Sequence, residues 1–288
     1  MESLNLDYSL TNFNREKIAV IIRVYSRISD CEALIHIIRK NWVLNDYEIF
    51  VVHNGEEDGH QATQIMKECN YIRVISNSGH RFGAKDLVKA ALQKISTSTK
   101  FTKYIFIESD CWILDDKIVL DALNGMKNNN KFCASYIWVP KRYSFAVDFF
   151  VIDANFANNH PELFEWDEHP ERYFSRLAST DTYLLSSMEL VHAPSILNHL
   201  NISPLVLSKG RFRIFPKSLT ITHHLEEMGL ENNTKALEVK KGLANTLTKK
   251  EIFKDTAPYR IPKDIYFKTL AQYIPQKHWL YFWRLFQK

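Results

Sequence analysis

The sequence predicts an α/β fold, in which parallel strands alternate with helices. Four short apolar runs have the length of buried strands, at residues 17–23, 47–53, 71–76 and 103–107. Segments with helical spacing of apolar residues separate them, after Asp30, at about 61–69 and at 85–95. Strands that are buried on both faces and joined by helices form parallel sheets with right-handed crossovers.

The elements of this first half can be assigned one by one. Residues 17–23 (KIAVIIR) form an apolar strand, and Asp30 is suited to cap the helix that follows. The strand at 103–107 (KYIFI) runs directly into acidic residues. We expect the five glycines of this half to lie between elements: Gly55, Gly59, Gly79, Gly83 and Gly125.

The second half is less regular, and all nine prolines follow residue 139. Short strands are predicted at 132–139 and 211–223. Helical patterns occur at 171–200, and a helical tail begins at about residue 226.

Composition excludes several classes of protein. Of the 288 residues, 45% are hydrophobic and 24% are charged, as in globular proteins. A net charge of +4 is too small to indicate nucleic-acid binding by itself. No apolar run reaches the roughly 18 residues of a membrane span, and the first residues do not resemble a signal peptide. The four cysteines include no C-x-x-C pair, so we expect free thiols and a cytoplasmic protein.

The common phosphate-binding and hydrolase motifs are absent. There is no G-x-G-x-x-G and no G-x-S-x-G. The segment 79–86 is close to a P-loop, but it has one residue too few between its glycines and lacks the Ser or Thr after lysine.

The strongest local signal is a pair of acids after the fourth strand. Glu108 and Asp110 are two residues apart, so their side chains can point the same way. Carboxylates at such a place suit Mg²⁺ or Mn²⁺, together with the oxygens of a substrate diphosphate. Asp115 and Asp116 are expected only to cap the next helix. Ligands bind at the carboxyl ends of parallel strands, so residues 23–27, 53–57, 77–81 and 108–110 are the candidate site.

In these segments the chain resembles the GT-A glycosyltransferases of the family-2-like branch, over about residues 16–225. The matching stretches are a first strand with a polar turn, a second strand end, an N-x-G segment before a helix, and a D-x-D position, at residues 20–27, 50–55, 77–85 and 108–110. The resemblance implies a GT-A (Rossmann-like) fold: a mixed, mostly parallel sheet flanked by helices, with a helical C-terminal extension.

The resemblance also implies roles for single residues. Those for donor binding are Arg23, Tyr25, Asn54, Arg81, Lys85 and Glu108. Asp110 and His223 are the implied metal ligands, with His224 as the alternative to His223. Asp181 is the implied general base, and the alternative role for its position is a helix N-cap. The chain departs from the family pattern at Glu108, where aspartate is usual, and at Thr180, where glutamate is usual.

The expected activity is the metal-dependent transfer of a sugar, with Mn²⁺ or Mg²⁺, from a nucleotide diphosphate sugar. A UDP-sugar is favoured, and the acceptor is a hydroxyl of a glycan or lipid-linked glycan. Direct displacement inverts the anomeric carbon, but a retaining route stays open because several acids could lie near the acceptor: Asp148, Asp153, Glu165, Asp167 and Glu168. Two rival interpretations are a sugar nucleotidyltransferase and a catalytically inactive, membrane-associated sugar-binding scaffold.

The expected domains are a catalytic unit, residues 1–225, and a helical extension, residues 226–288. The catalytic unit divides into a nucleotide-sugar half at about 16–116 and an acceptor half at 117–225. Within the extension, residues 276–288 place aromatic side chains on one helical stripe and contain cations but no acids. This segment suits either docking on an anionic membrane surface or packing on the catalytic unit. A homo-oligomer is also left open.

Overall fold

The structure is a computed structural model. It describes residues 15–98, 100–135, 147–180, 213–215, 218–222 and 233–258. Within these ranges, no helix combines the length and the apolar character that crossing a membrane would require.

The first half alternates strands and helices as predicted. The elements are β1 (Lys17–Val24), α1 (Ile28–Asn41), β2 (Asp46–His53), α2 (Gln64–Lys67), β3 (Asn70–Arg73), α3 (His80–Ile95) and β4 (Lys103–Glu108). They are followed by β5 (Trp112–Ile113), α4 (Lys117–Asn128), β6 (Cys133–Ser135), β7 (Phe149–Asp153), α5 (Ala154–Asn159) and α6 (Pro170–Thr180). The last described elements are β8 (Arg213–Phe215), β9 (Thr220–Thr222) and α7 (Asn233–Thr248).

Six strands form the main sheet, in the order β3-β2-β1-β4-β7-β6. The four strands of the first half are parallel to one another, while β7 runs antiparallel to β4 and β6 antiparallel to β7. The predicted fold class, a mixed and mostly parallel sheet flanked by helices, is therefore confirmed. A smaller antiparallel sheet has the order β5-β9-β8.

Two apolar layers cover the faces of the main sheet, because alternate residues of β1 point to opposite sides. Ile18, Val20 and Ile22 pack with residues of α1, α4 and α7. Ala19 and Ile21 pack with residues of α3, α5 and α6. The sheet is thus the middle of three layers, and its edges at the strand ends remain available for a binding site.

Several local predictions are wrong. Asp30 does not cap α1, which begins at Ile28; the aspartate lies inside the first turn, fully buried. The helix expected at 61–69 is reduced to Gln64–Lys67. Helix α3 begins at His80 rather than residue 85, so Gly83 lies within it, as Gly125 lies within α4. Glycine is expected between elements, but it can also lie inside a helix where a neighbouring group leaves no room for a side chain.

The C-terminal part of the described chain adds to the core of the first half. Leu243 and Ala244 of α7, with Ile252 after it, belong to the same apolar layer as β1 and α1. The boundary at 225 and the membrane role of residues 276–288 stay predictions, and residues 276–288 lie outside the described ranges. The four cysteines form no disulfide.

Candidate functional site

A pocket of about 250 Å³ opens at the carboxyl edge of the parallel strands. It lies where β1 and β4 are neighbours, which is where the connections of the sheet change direction. Its lining comes from the ends of β1, β2 and β4 and from the start of α3: Arg23, Val24, Tyr25, Ser26, Arg27, Asn54, Asn77, Gly79, Gly83, Ala84, Leu87, Glu108, Ser109 and Asp110. Ligands of open α/β sheets bind at this kind of position.

The guanidinium of Arg23 connects two strand ends. Arg23 Nη2 lies 3.2 Å from Glu108 Oε1 and donates to the Val147 carbonyl at 2.5 Å. The arginine is buried, whereas a third of the Glu108 side chain is exposed. Arg23 Nε is buried without a hydrogen-bond partner among the described residues. A buried donor in this state favours a ligand with acceptor oxygens nearby.

The second acid is also paired with an arginine. Arg27, which precedes α1, places Nε 3.3 Å from Asp110 Oδ2. The Asp110 side chain is only 5% exposed, so its charge depends on nearby partners. The pocket therefore holds two carboxylates, each facing a guanidinium, and these four charges sum to zero.

At the end of β2, neutral contacts hold the chain against β1. His53 Nε2 lies 2.8 Å from the Tyr25 carbonyl oxygen, and since a carbonyl only accepts, Nε2 carries the hydrogen. Burial lowers the pKa of His53. A Cβ on Gly55 would stand 2.1 Å from the same carbonyl oxygen. Only glycine allows this approach, which fixes Tyr25 at the mouth of the pocket.

Asn54 joins the β2 end to α3. Its Nδ2 donates to the Gly83 carbonyl at 3.2 Å, while its buried Oδ1 has no partner within the described part of the chain. A Cβ on Gly83 would lie 2.6 Å from Asn77 Oδ1 and 3.2 Å from Asn54 Nδ2. Gly83 thus keeps the start of α3 close to the pocket.

Tyr25 is the exposed aromatic ring of the site, with 42% of its surface accessible. Its ring meets that of His60 edge-on, with 5.2 Å between centroids. A hydrogen bond with Asp58 raises the pKa of Tyr25. An aromatic ring beside buried polar and charged groups is a suitable surface for a flat or amphipathic ligand.

Behind the acidic segment stands a lysine of α7. Lys240 Nζ lies 2.7 Å from the Asp110 carbonyl oxygen and 2.5 Å from Asp30 Oδ1. It also lies 4.2 Å from the centre of the Trp112 ring. Burial raises the pKa of Asp30 to about 6, although the Lys240 ammonium acts in the opposite direction.

The carboxylates of Asp115 and Asp116 accept hydrogen bonds from different parts of the chain. Asp115 Oδ1 accepts from the Lys117 amide at 2.9 Å, as a helix cap does. Asp116 makes no such bond; its Oδ2 accepts from the Leu44 amide at 2.7 Å and from the Tyr47 hydroxyl at 3.0 Å. The expectation that Asp116 caps α4 is therefore wrong, because tertiary donors occupy its carboxylate.

Of the other predicted site residues, two belong to α3 and two lie outside the described part of the chain. Lys85 does not line the pocket; its Nζ donates to the Trp166 carbonyl at 3.2 Å. Arg81 lies in the first turn of α3, close to the pocket in sequence. Asp181 and His223 lie outside the described residues. The structure thus brings together Arg23, Tyr25, Asn54, Glu108 and Asp110.

Sequence reasoning missed two charged residues. Arg27 was within a candidate segment, but nothing in the sequence paired it with Asp110. Lys240 lies 130 residues from Asp110 and looks like any lysine of an exposed helix. The sequence did contain a signal at Asp30, the partner of Lys240, because an aspartate on the apolar face of a helix requires a buried partner.

The carboxylates of the pocket suit a divalent cation, but they do not form a complete coordination shell by themselves. Mg²⁺ and Mn²⁺ sites in phosphate chemistry use one or two carboxylates and take further oxygens from the substrate. Glu108 and Asp110 supply two carboxylates to one pocket. Among the residues described, no group of three or more His, Cys, Asp or Glu is placed to hold a metal by itself.

No protein-family model matches the chain, and no curated protein matches it. Solved structures do. One is the mannosyltransferase PcManGT of Pyrobaculum calidifontis in complex with GDP-Man and Mn²⁺, with 9% identity, a TM-score of 0.43 and coverage of 89% of this chain and 68% of that one. Another is glucosyl-3-phosphoglycerate synthase from Mycobacterium tuberculosis with Mn²⁺ and UDP, at 12% identity, TM-score 0.35, covering 49% and 58%.

A third similar structure belongs to a different class of transferase, 4-diphosphocytidyl-2C-methyl-D-erythritol synthase from Anaerococcus prevotii. It has 12% identity and a TM-score of 0.41, and the match covers 59% of this chain and 86% of that one. The match spans less than two thirds of the Mycobacterium tuberculosis chain. At these identities and TM-scores the similarity carries no conclusion about what this chain binds or catalyses.

Proposed function

We propose that the protein is a metal-dependent glycosyltransferase. It moves a sugar from a nucleotide diphosphate sugar, with UDP favoured, to a hydroxyl of a glycan or lipid-linked glycan. The observation that carries the proposal is the pairing of Arg23 with Glu108 and of Arg27 with Asp110 in one pocket at the carboxyl edge of the sheet.

This set of charges suits a diphosphate and a cation together. Arginine presents a planar fork of donors that matches phosphate oxygens. When a diphosphate enters, Arg23 and Arg27 can donate to it, which leaves the two carboxylates to face a cation. Arg23 Nε and Asn54 Oδ1, both buried and without partners among the described residues, favour a polar ligand in the same place.

Glu108 and Asp110 would hold the Mn²⁺ or Mg²⁺, Asp110 as the main ligand. The bound cation would neutralise charge on the departing diphosphate. His223 remains a proposed further ligand. The chain's own contribution is to hold the diphosphate with the arginines and to keep the nucleoside beside Tyr25, so that the anomeric carbon faces the acceptor.

Asp181 is proposed to remove the proton of the acceptor hydroxyl. The oxygen then forms its bond to the anomeric carbon as the bond to the diphosphate breaks, and the electron pair leaves with the diphosphate. Attack from the opposite face inverts the configuration of that carbon.

The test is a screen of UDP-, GDP- and CMP-sugars for hydrolysis or transfer, with and without Mn²⁺. We expect turnover of one class of donor that depends on the metal and is lost in Asp110→Asn. Asp46→Asn is the matched control, since Asp46 is an exposed acid at the amino end of β2, away from the edge of the sheet that carries the pocket. It should keep the wild-type rate to within about twofold.

Two results would contradict the proposal. Nucleotide binding without turnover of any donor would favour an inactive sugar-binding protein. Formation of a nucleotide sugar from a nucleoside triphosphate and a sugar phosphate would favour the nucleotidyltransferase.

A further inference from the structure

The contacts of Lys240 reach the proposed metal-binding segment from behind. Its Nζ donates to the carbonyl of Asp110 at 2.7 Å and to the carboxylate of Asp30 at 2.5 Å. Lysine and aspartate side chains are 1% and 0% exposed, respectively. One bond therefore holds the backbone that carries Asp110, and the other ties the same ammonium to α1.

Burying such an ion pair is costly unless its geometry is good, and apolar residues of similar size often stabilise a fold as well. Stability alone is thus a weak explanation for a buried pair of Lys240 and Asp30. The position of the pair suggests a second explanation, a role at the site. Asp30 lies on the first turn of α1, and Arg27, just before that helix, contacts the Asp110 side chain.

Two elements distant in sequence therefore hold the same residue. The start of α1 contacts the Asp110 side chain through Arg27, and α7 holds its carbonyl through Lys240. The Trp112 ring, 4.2 Å from Lys240 Nζ, closes the other side of the ammonium. With its donors directed at two oxygens and its stem buried, the lysine has little freedom to let the segment shift.

We propose that Lys240 is a positioning residue of the donor site: by holding the Asp110 carbonyl against α1, it sets the place of the carboxylates that receive the cation. The inference rests on the proposed function and extends it to helix α7. Groups that orient a metal ligand without touching the metal typically change metal affinity roughly 10–100-fold when they are removed.

The test measures the affinity of UDP by calorimetry without Mn²⁺ and with saturating Mn²⁺. The ratio of the two affinities reports the metal-dependent gain. Asp30→Asn/Lys240→Met removes both buried charges, so neither is left without its partner. We expect the ratio to fall roughly 10–100-fold, with a small change in metal-free affinity, because Arg23 remains in place.

Lys241→Met is the matched control. It is the next residue on α7, a quarter exposed, and it pairs with Glu238 at 2.9 Å. Its ratio should stay within about twofold of the wild type.

The outcomes separate the two claims. A wild-type protein whose UDP affinity gains nothing from Mn²⁺ would contradict the proposed function and this inference together. A wild-type gain that is unchanged in the double variant would overturn the role of Lys240 alone. If the double variant has no cooperative melting transition, Asp30→Leu/Lys240→Met takes its place, which also leaves neither charge without its partner, with the same expected loss and the same overturning result.

Discussion

The pocket has two walls that are held in different ways. The β2 wall, residues 53–55 with the Tyr25 carbonyl, depends on neutral hydrogen bonds and a close glycine contact. The β4 wall, residues 108–110, depends on charges: two arginines face its carboxylates, and a buried lysine holds its backbone.

The difference suggests a division of labour. Neutral hydrogen bonds and a glycine contact leave the β2 wall little room to rearrange, so under the proposed function we expect it to place the ligand. An arginine that pairs with a carboxylate can donate to phosphate oxygens instead when a ligand brings its own charges. The β4 wall is thus where a cation and a diphosphate would be accommodated.

The largest effect is expected on the charged wall. Asp110→Ala should abolish transfer, leaving less than about a tenth of the wild-type rate, a loss of at least about 1.4 kcal/mol. The thermal unfolding curve should stay cooperative, because a short side chain that lines a pocket contributes little packing. A variant that retains more than that tenth would rule out Asp110 as the main metal ligand.

On the neutral wall the effect should appear in stability. In Gly55→Ala the new methyl group would meet the Tyr25 carbonyl at 2.1 Å, and one of the two strand ends must move. Such overpacking typically costs about 1–3 kcal/mol. Denaturant unfolding measures it. An unchanged midpoint would mean that the β2 wall is less constrained than its contacts indicate.

Glu108→Ala should have a smaller effect on transfer than Asp110→Ala. A third of the Glu108 side chain is exposed, and Arg23 keeps its bond to the Val147 carbonyl when the carboxylate is removed. We expect a loss of less than about tenfold in kcat/KM. Equal losses for the two variants would indicate that both carboxylates bind the cation on the same terms.

The smallest effect is a dependence on pH from the β2 wall. Burial lowers the pKa of His53, so below its ordinary value the unfolded chain binds a proton more readily than the folded one. The free energy of unfolding should therefore fall as the pH decreases below about 6.5. In His53→Gln this contribution is absent, and the curve should be flatter. Identical slopes for both proteins would contradict the assignment.

Much of the pocket was predictable from the sequence, because the point where an apolar run gives way to polar residues marks the end of a strand. The four apolar runs predicted the parallel strands, and their carboxyl ends contain Arg23, Asn54, Glu108 and Asp110, which line one pocket. The rule that ligands bind at this edge needs only strand direction and not the details of packing.

Features that depend on tertiary contacts were missed. Aspartate is a residue type that often caps helices, but the Asp30 carboxylate accepts instead from Lys240, 210 residues away. The sequence predicts that Gly83 lies between elements, whereas in the structure it lies within α3 and lets that helix approach Asn77 and Asn54. The direction of Lys85, toward Trp166, depends on where α3 begins. None of these follows from local propensity, because each is decided by a neighbour that the chain brings in from elsewhere.

The central claim is that the β4 wall binds a divalent cation together with a nucleoside diphosphate. Electron paramagnetic resonance of Mn²⁺, titrated with the protein in the presence and absence of UDP, tests it most directly, because bound Mn²⁺ loses the sharp signal of the free ion. The account predicts UDP-dependent Mn²⁺ binding in the wild type and in Asp46→Asn, and its loss in Asp110→Asn. Mn²⁺ binding that is equal in all three proteins, or absent from the wild type with UDP, would contradict it.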